Sequence, residues 1–414
     1  MQRGDISRPN TGPALSRRRS GLVVAALLLA LYAAVIIGLQ IEQLWLFILY
    51  LATAAFLIFA YQRLTALPRW ISAAFQDNAG LASVILIVLL ILYPIVLRDD
   101  AYLIHIAALS AIFAVMALGL NITLGFAGLL DIGFAVYFGA GAYTSAQLAI
   151  HFGISFWLGA VAGGFVAAMF GFLIAWPALR VHDHYLGLVT LGYGLMMNLL
   201  ARNLNFLTNG TDGVIDIPPP VIGSHPFTEP LQIRSFSLPF QANFYYLALA
   251  VLLLTVFVSY RLLDSKLGRG WEAIREDEIA AKCSGVNAQG LKILAFSTGA
   301  FFGGIGGAMY AHMIGFISPD SFAFLESITI LVMVVIGGAG NVLGVVVGAV
   351  ALVVLPERFR EFEHLRLLIF GLALVLLMIN RPQGIFPRVR TRRGPQAGAH
   401  STPLKPSARR VNLA

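Results

Sequence analysis

The stretch GRGWEAIREDEIAAKCSGVN (268–287) sets seven ionisable side chains into the fourteen positions 269–282, between two long uncharged runs, 240–260 and 293–318. Sinking those charges in hydrocarbon would cost roughly 2.5–3.5 kcal/mol each, about 20 kcal/mol together. The flanks have the opposite preference, because uncharged runs of that length suit a hydrocarbon core about 30 Å thick. A segment that needs water, held between two that need lipid, reads as span, loop, span.

Working outward, the same kind of run recurs at 21–39, 44–61, 81–97, 155–179 and 185–201. The chain is 58% hydrophobic and 12% charged, with a mean hydropathy of +0.82, whereas soluble domains carry roughly 25% charged residues. That excludes a soluble globule. The runs are continuous rather than alternating, which excludes a β-barrel. The fold class is therefore all-α, a polytopic transmembrane helical bundle. The first run follows Arg17, Arg18 and Arg19, but it is too long for a signal peptide and no small-residue cleavage site follows, so it reads as the first span. Cys283 is the only cysteine and cannot make an internal disulfide, so it does not report on redox compartment.

The net charge of +8 has a location. Residues from Arg381 onward hold eight Lys or Arg and no acid, and residues 1–20 hold five arginines against Asp5. Basic flanks favour the cytoplasmic side, which places both termini inside; no nucleic-acid partner is expected. Counting one crossing per run then puts 98–100 outside, the loop with Arg180 inside, 204–241 outside and the charged stretch inside, where 261–290 carries five Lys or Arg.

Two spans are interrupted. Residues 101–130 are uncharged, then Asp131 precedes a second apolar run to 150; residues 327–355 form one uncharged run broken by GGAGN at 337–341. The second is expected to be two half-helices that dip in and return, or two short spans. This leaves Arg358, Arg360 and Arg366 outside and a short final span, 367–380. Broken or re-entrant helices are tolerated only where backbone faces protein or an aqueous path, and they point to a translocation route. The candidate path residues are Asn121, Thr123, Asp131, Gly337, Gly338 and Asn341. Asp131 is also placed to cap the helix that follows, as is Glu326 before its own span. Gly299, Gly303 and Gly307, and Gly340, Gly344 and Gly348, repeat every fourth residue and read as close helix-packing ridges.

The charged stretch itself reads as a short helix with Trp271, Ile274 and Ala281 in rows, Glu278 and Lys282 at i, i+4, and a stop at Gly285 and Asn287. Such a helix suits the groove of a soluble partner; the same pattern also suits a solvated loop with ordinary ion pairs. No Gly-x-x-x-x-Gly-Lys-Ser/Thr loop occurs anywhere, so any ATP is bound by another subunit. His182, Asp183 and His184 lack a further clustered ligand, so no metal is expected. No nucleophile, base and orienter can be assembled, so the chain is not read as an enzyme.

The run 268–287, followed by KILAFSTGAFFGGIGGAMYA (292–311), resembles the cytoplasmic coupling loop, the EAA loop, of ATP-driven import permeases, and most of all the branched-chain amino acid family and its longer LivM-type subunit. ALGLNITLGFAGLLDIGFAVYFGAGAY (117–143), PALRVHDHYLGLVTLGYG (177–194) and FLESITILVMVVIGGAGNVLGVVVGAV (324–350) are similar to that family in the same order. The resemblance implies that Glu278, Ala280, Ala281 and Gly285 form the core of the coupling motif, and that Arg275, Glu276 and Asp277 are offered to an ATPase. It divides the chain into a cytoplasmic basic tail (1–20), an N-terminal transmembrane extension (21–80), a permease core (81–390) with its coupling loop (264–290), and a disordered basic tail (391–414). Where the family has an acid after TLGYG this chain has Leu195, its usual Gly-Asp before Tyr185 is displaced, and in TNGTDGV (208–214) Asn209 replaces a usual glycine.

The function so implied is a permease subunit of an ABC importer for branched-chain or related apolar amino acids in the bacterial inner membrane. It implies a homologous LivH-type second permease, two ATPase subunits, an extracytoplasmic binding protein and surrounding lipid, with no cofactor of the chain's own. Urea and short amides are the alternative cargo. An ion-coupled secondary carrier is the alternative of another class, since it too would use broken helices and repeats.

Overall fold

The computed structural model describes residues 17–40, 78–178, 183–223, 225–233 and 236–358, with the isolated residues 53, 371, 375 and 384–386. All but residue 53 of the expected span 44–61, all but two residues of 367–380, the tail 391–414, most of 1–20, His182 and the side chains of Asp183 and His184 lie outside the described residues.

Uncharged sequence becomes helix because in lipid each backbone N–H must find its carbonyl within the segment. Among the described residues, six helices are long and apolar enough to cross a membrane, within Gly21–Gly38, Ala101–Phe126, Phe156–Pro177, Gln241–Asp264, Ala288–Ile314 and Pro319–Gly337, and Gly80–Val96 and Val342–Glu357 are shorter apolar helices. The chain is a multi-pass, all-α membrane protein. Its helices are α1 (Arg17–Gln40), α2 (Ala79–Val96), α3 (Ala101–Leu120), α4 (Ala135–Phe152), α5 (Phe156–Ala178), α6 (Asp183–Asn203), the single turn α7 (Asn205–Thr208), α8 (Gln241–Asp264), α9 (Lys266–Glu276), α10 (Glu278–Cys283), α11 (Ala288–Ile314), α12 (Phe324–Gly337) and α13 (Val342–Arg358). A π turn, Asn121–Phe126, continues α3.

Apolar all round, α3 is the axis of the bundle: its span is 78% buried, against 28% for α1 and 33% for α8. It packs on α8, α11, α12 and α13, while α11 packs most extensively on α5 and α4. α1 leans on α2 through Val24, Leu28 and Leu89. Where lipid supplies no hydrophobic drive, close backbone approach does the packing. A Cβ on Gly119 would lie 2.6 Å from the Gly299 carbonyl oxygen, and one on Gly303 would lie 3.0 Å from the Phe134 ring; one on Gly307 would strike the Phe138 carbonyl. At the α12–α13 crossing Gly337 faces Gly344, and a Cβ on Gly348 would lie 2.5 Å from the Met333 carbonyl. Gly340, expected in that ridge, lies in the intervening turn at φ +93°.

Two ends follow. One carries α9, α10, the π turn and the turn at 338–341. At the other, residue 214 bridges residue 317, two small antiparallel hairpins form, β1 (Val221–Ile222) with β2 (His225–Pro226) and β3 (Leu231–Ile233) with β4 (Phe236–Leu238), and Tyr102 donates a hydrogen bond to Glu357. The run 327–355 is therefore two antiparallel passes. α12 has 14 residues and rises only about 21 Å, and the 3-10 turn Pro319–Phe322 lengthens that pass.

Candidate functional site

The charged stretch divides into two helices where the sequence reads as one. Ser265 Oγ accepts from the amides of Leu267 and Gly268 at 3.1 and 3.2 Å and starts α9. At Asp277 the backbone is extended (φ −160°, ψ 109°), and its carboxylate accepts from the Ile279 and Ala280 amides at 2.9 and 3.0 Å to start α10. The aspartate that adds charge to the surface is also a cap, which is why the helix breaks there. Gly285, at φ +82°, ends α10 in the left-handed conformation that glycine tolerates best, and Asn287 Oδ1 then caps α11 by accepting from the Gly290 amide at 3.1 Å.

The apolar stripe turns toward the protein itself. Trp271 is fully buried and its indole N–H donates to the Leu291 carbonyl at 2.8 Å; Ile274, Ala281 and Ala288 pack together beside it. Glu278 is half-buried between Lys282 at 2.9 Å and the buried Lys292 at 2.6 Å, so it braces α10 onto α11. Burial alone would raise its carboxyl, but the hydrogen bonds and charges of Lys292 and Lys282 outweigh that and hold it below the usual carboxylate range. Glu276, Asp277 and Ala280 remain exposed, and Ile279 is 75% exposed at the tip. Ile279 escaped the sequence reading.

Arg275 is exposed like Glu276 and Asp277, yet one guanidinium nitrogen donates to the carbonyl of Gly125 in the π turn. From the same turn, Asn121 Oδ1 accepts from the Gly340 amide at 2.8 Å. The two breaks, 219 positions apart in sequence, are thus in direct contact. Thr123 Oγ1 donates to the Leu120 carbonyl at 2.9 Å, Gly338 takes φ +105°, and Asn341 Oδ1 accepts from Gly344 at 3.1 Å, capping α13. Asp131 is fully buried but does not cap α4. Its carboxylate closes a tight turn with the Gly133 amide at 3.1 Å, and the first amide of α4, Ala135, donates to Ser327 Oγ at 2.9 Å instead. A cap 192 positions away leaves no local signal. Glu326 makes no capping bond and sits in the first turn of α12, where the helix dipole favours an acid.

Beyond the first break, a cavity of about 420 Å³ opens among α4, α5 and α6, lined by uncharged residues including Gly139, Tyr143, Gln147, Phe170, Asn198 and Thr208. Its inner end is formed by Ala135 and Gly194, and a Cβ on Gly194 would lie 3.4 Å from Gly133 Cα. The Tyr143 hydroxyl is buried without a hydrogen-bond partner among the described residues. None of Asn121, Thr123, Asp131, Gly337, Gly338 or Asn341 lines this space. Asn209 sits at φ +58°, a left-handed position that asparagine tolerates well. Among the described residues no group of His, Cys, Asp or Glu is placed to hold a metal.

A multi-pass bundle with two touching helix breaks, a charged loop gripping one of them and an uncharged cavity on their far side is the architecture of a transport permease. The family model described as branched-chain amino acid transport system, permease component, matches residues 102–378. The chain belongs to that permease family. It is 36% identical over 338 residues to the high-affinity branched-chain amino acid transport system permease protein LivM of Escherichia coli, covering 78% of this chain and 79% of the relative. The LivH permease protein of the same organism is 26% identical over 293 residues, 68% of this chain and 92% of the relative. A probable LivM of Methanocaldococcus jannaschii is 24% identical over 244 residues, 54% of this chain and 66% of the relative. No solved structure matches. These relatives are permeases of transport systems, not enzymes.

Proposed function

We propose that this chain is the LivM-type permease of an ABC importer that carries branched-chain or related apolar amino acids into the bacterial cytoplasm. It works with a second, LivH-type permease, two ATPase subunits and an extracytoplasmic binding protein. The observation that carries this reading is the division of labour in residues 266–283: Trp271, Glu278 and Arg275 bond to the bundle, while Glu276, Asp277, Ile279 and Ala280 are exposed. A rigidly held, exposed tip is what a separate motor needs in order to push on a membrane protein. The α9 end then faces the cytoplasm, as the basic flanks require. The uncharged cavity supports a cargo of no net charge with an apolar side chain, because its walls offer shape and a few hydroxyl and amide groups rather than a countercharge.

The test is reconstitution of the purified complex in liposomes. Leucine uptake that requires the ATPase subunits, ATP and the binding protein is the expected result. Uptake driven by a proton or sodium gradient without ATPase would overturn the reading, and a binding protein that retains urea or a short amide would reassign the cargo.

A further inference from the structure

The π turn Asn121–Phe126 is where the loop, the first break and the second break converge. In a π turn each bond spans one residue more than in an α-helix, and such turns are frequent at functional positions. Here the Ala127 amide bonds back to Ile122 at 3.2 Å, and the Leu129 amide, which a continuing α-helix would aim at Gly125, reaches Thr123 at 2.9 Å instead. The Gly125 carbonyl is thereby left to another donor, and Arg275 supplies it. A cation on the last carbonyls of a helix also complements its negative dipole end. The fit is two-sided: Gly128 sits at φ +74°, and a Cβ there would lie 2.8 Å from Arg275 Cγ, so the chain is kept bare where the arginine stem crosses it. At Gly125 itself, a Cβ would lie 2.5 Å from the Gly340 amide nitrogen, which donates to Asn121.

We propose that this π turn is the transmission joint of the permease, with Arg275 and Asn121 as its positioning residues. Displacement of α9 is drawn onto the Gly125 carbonyl by Arg275, and the joint passes it to the 338–341 turn through Asn121, so both breaks move together. Trp271, fixed to the Leu291 carbonyl, is the pivot about which the Arg275 end of α9 swings. Arg275 on this assignment acts through its bond to the Gly125 carbonyl rather than as an ATPase contact. The inference rests on the proposed reading of the loop as the ATPase contact and assigns the route by which that contact reaches the breaks.

The experiment uses the whole complex in liposomes and measures three quantities: ATPase retained on purification, ATP hydrolysed, and solute moved per ATP. Arg275→Met keeps the stem and removes the guanidinium. The expected result is unchanged ATPase retention and hydrolysis, with solute per ATP falling about 5- to 150-fold, the range of ordinary coupling energies. Arg275→Lys recovers part of the loss, since an ammonium reaches a carbonyl but lacks the planar fork. Asn121→Ala gives the same phenotype, and the double variant is no worse than the stronger single, because bonds in series are not additive. Loss of ATPase retention in Arg275→Met would make the residue a docking contact and overturn the proposal, as would unchanged solute per ATP or additive single effects. A wild-type complex that needs no ATPase would instead sink the reading of the loop itself.

Discussion

At the scale of the residue, Glu278 looks like a surface acid in the sequence and acts as an internal brace. Replacing it with glutamine takes a carboxylate away from Lys292, whose side chain is only 7% exposed. Breaking a fully buried pair costs about 3–5 kcal/mol; with Glu278 itself 24% exposed, a loss on the order of 2 kcal/mol in the local stability of α10 is expected. Hydrogen exchange of the α10 amides in Glu278→Gln should speed up accordingly, while exchange in α3 stays slow. The sign with pH follows from the lowered carboxyl: the brace is complete above the unfolded carboxyl's range and is lost as pH falls through the folded value. The loop should be insensitive to pH around neutrality and loosen only in acid. The i, i+4 relation to Lys282 was legible in the sequence. Lys292 was not, since it lies on the next helix and only the turn at Gly285 brings it back.

At the scale of the element, α10 is six residues long, too short to be stable alone. It is held by the Asp277 cap, the Glu278 brace and Ala281 against Ile274 and Ala288. What it presents outward is Ile279, an apolar side chain on a polar tip, and a few well-seated side chains carry most of an interface's energy. Ile279→Glu is expected to weaken capture of the ATPase subunits about 10- to 100-fold without altering the fold, as judged by co-purification at graded concentrations and by an unchanged thermal transition of the permease alone. Equal capture by this variant would show that the tip does not seat in the motor. The length of the uncharged runs gave the existence and place of the described spans, because burying such runs leaves the backbone no alternative. It did not give the division at Asp277, since an aspartate inside a charged helix and an aspartate capping a new one have the same composition.

At the scale of the whole molecule, α12 and α13 form a returning pair, so Cys283 and Glu357 lie at opposite ends of the bundle. Cys283 is exposed and is the only cysteine. A membrane-impermeant maleimide should label it in inside-out vesicles and not in intact spheroplasts. Glu357→Cys in a Cys283→Ser background should show the reverse pattern. Labelling of both positions from one side would mean that 324–358 crosses only once. The same return explains how Gly340 reaches Asn121, for only a chain that turns at the α9 end can lay its amide on the π turn.

The order of water-seeking and lipid-seeking segments is a property of the linear chain, so the sequence alone determined that the protein is a helical bundle in a membrane. It also determined where the bundle breaks and where its charged loop lies. Which breaks touch, which charges turn inward and which stay outside are relations between residues far apart in the chain. They depend on glycine crossings and on carbonyls that the π turn leaves for outside donors. Only the tertiary structure could decide that Arg275 bonds to the π turn and that Ile279 stands exposed, because nothing within a few residues of either distinguishes a bond made to a distant carbonyl from one awaiting a partner.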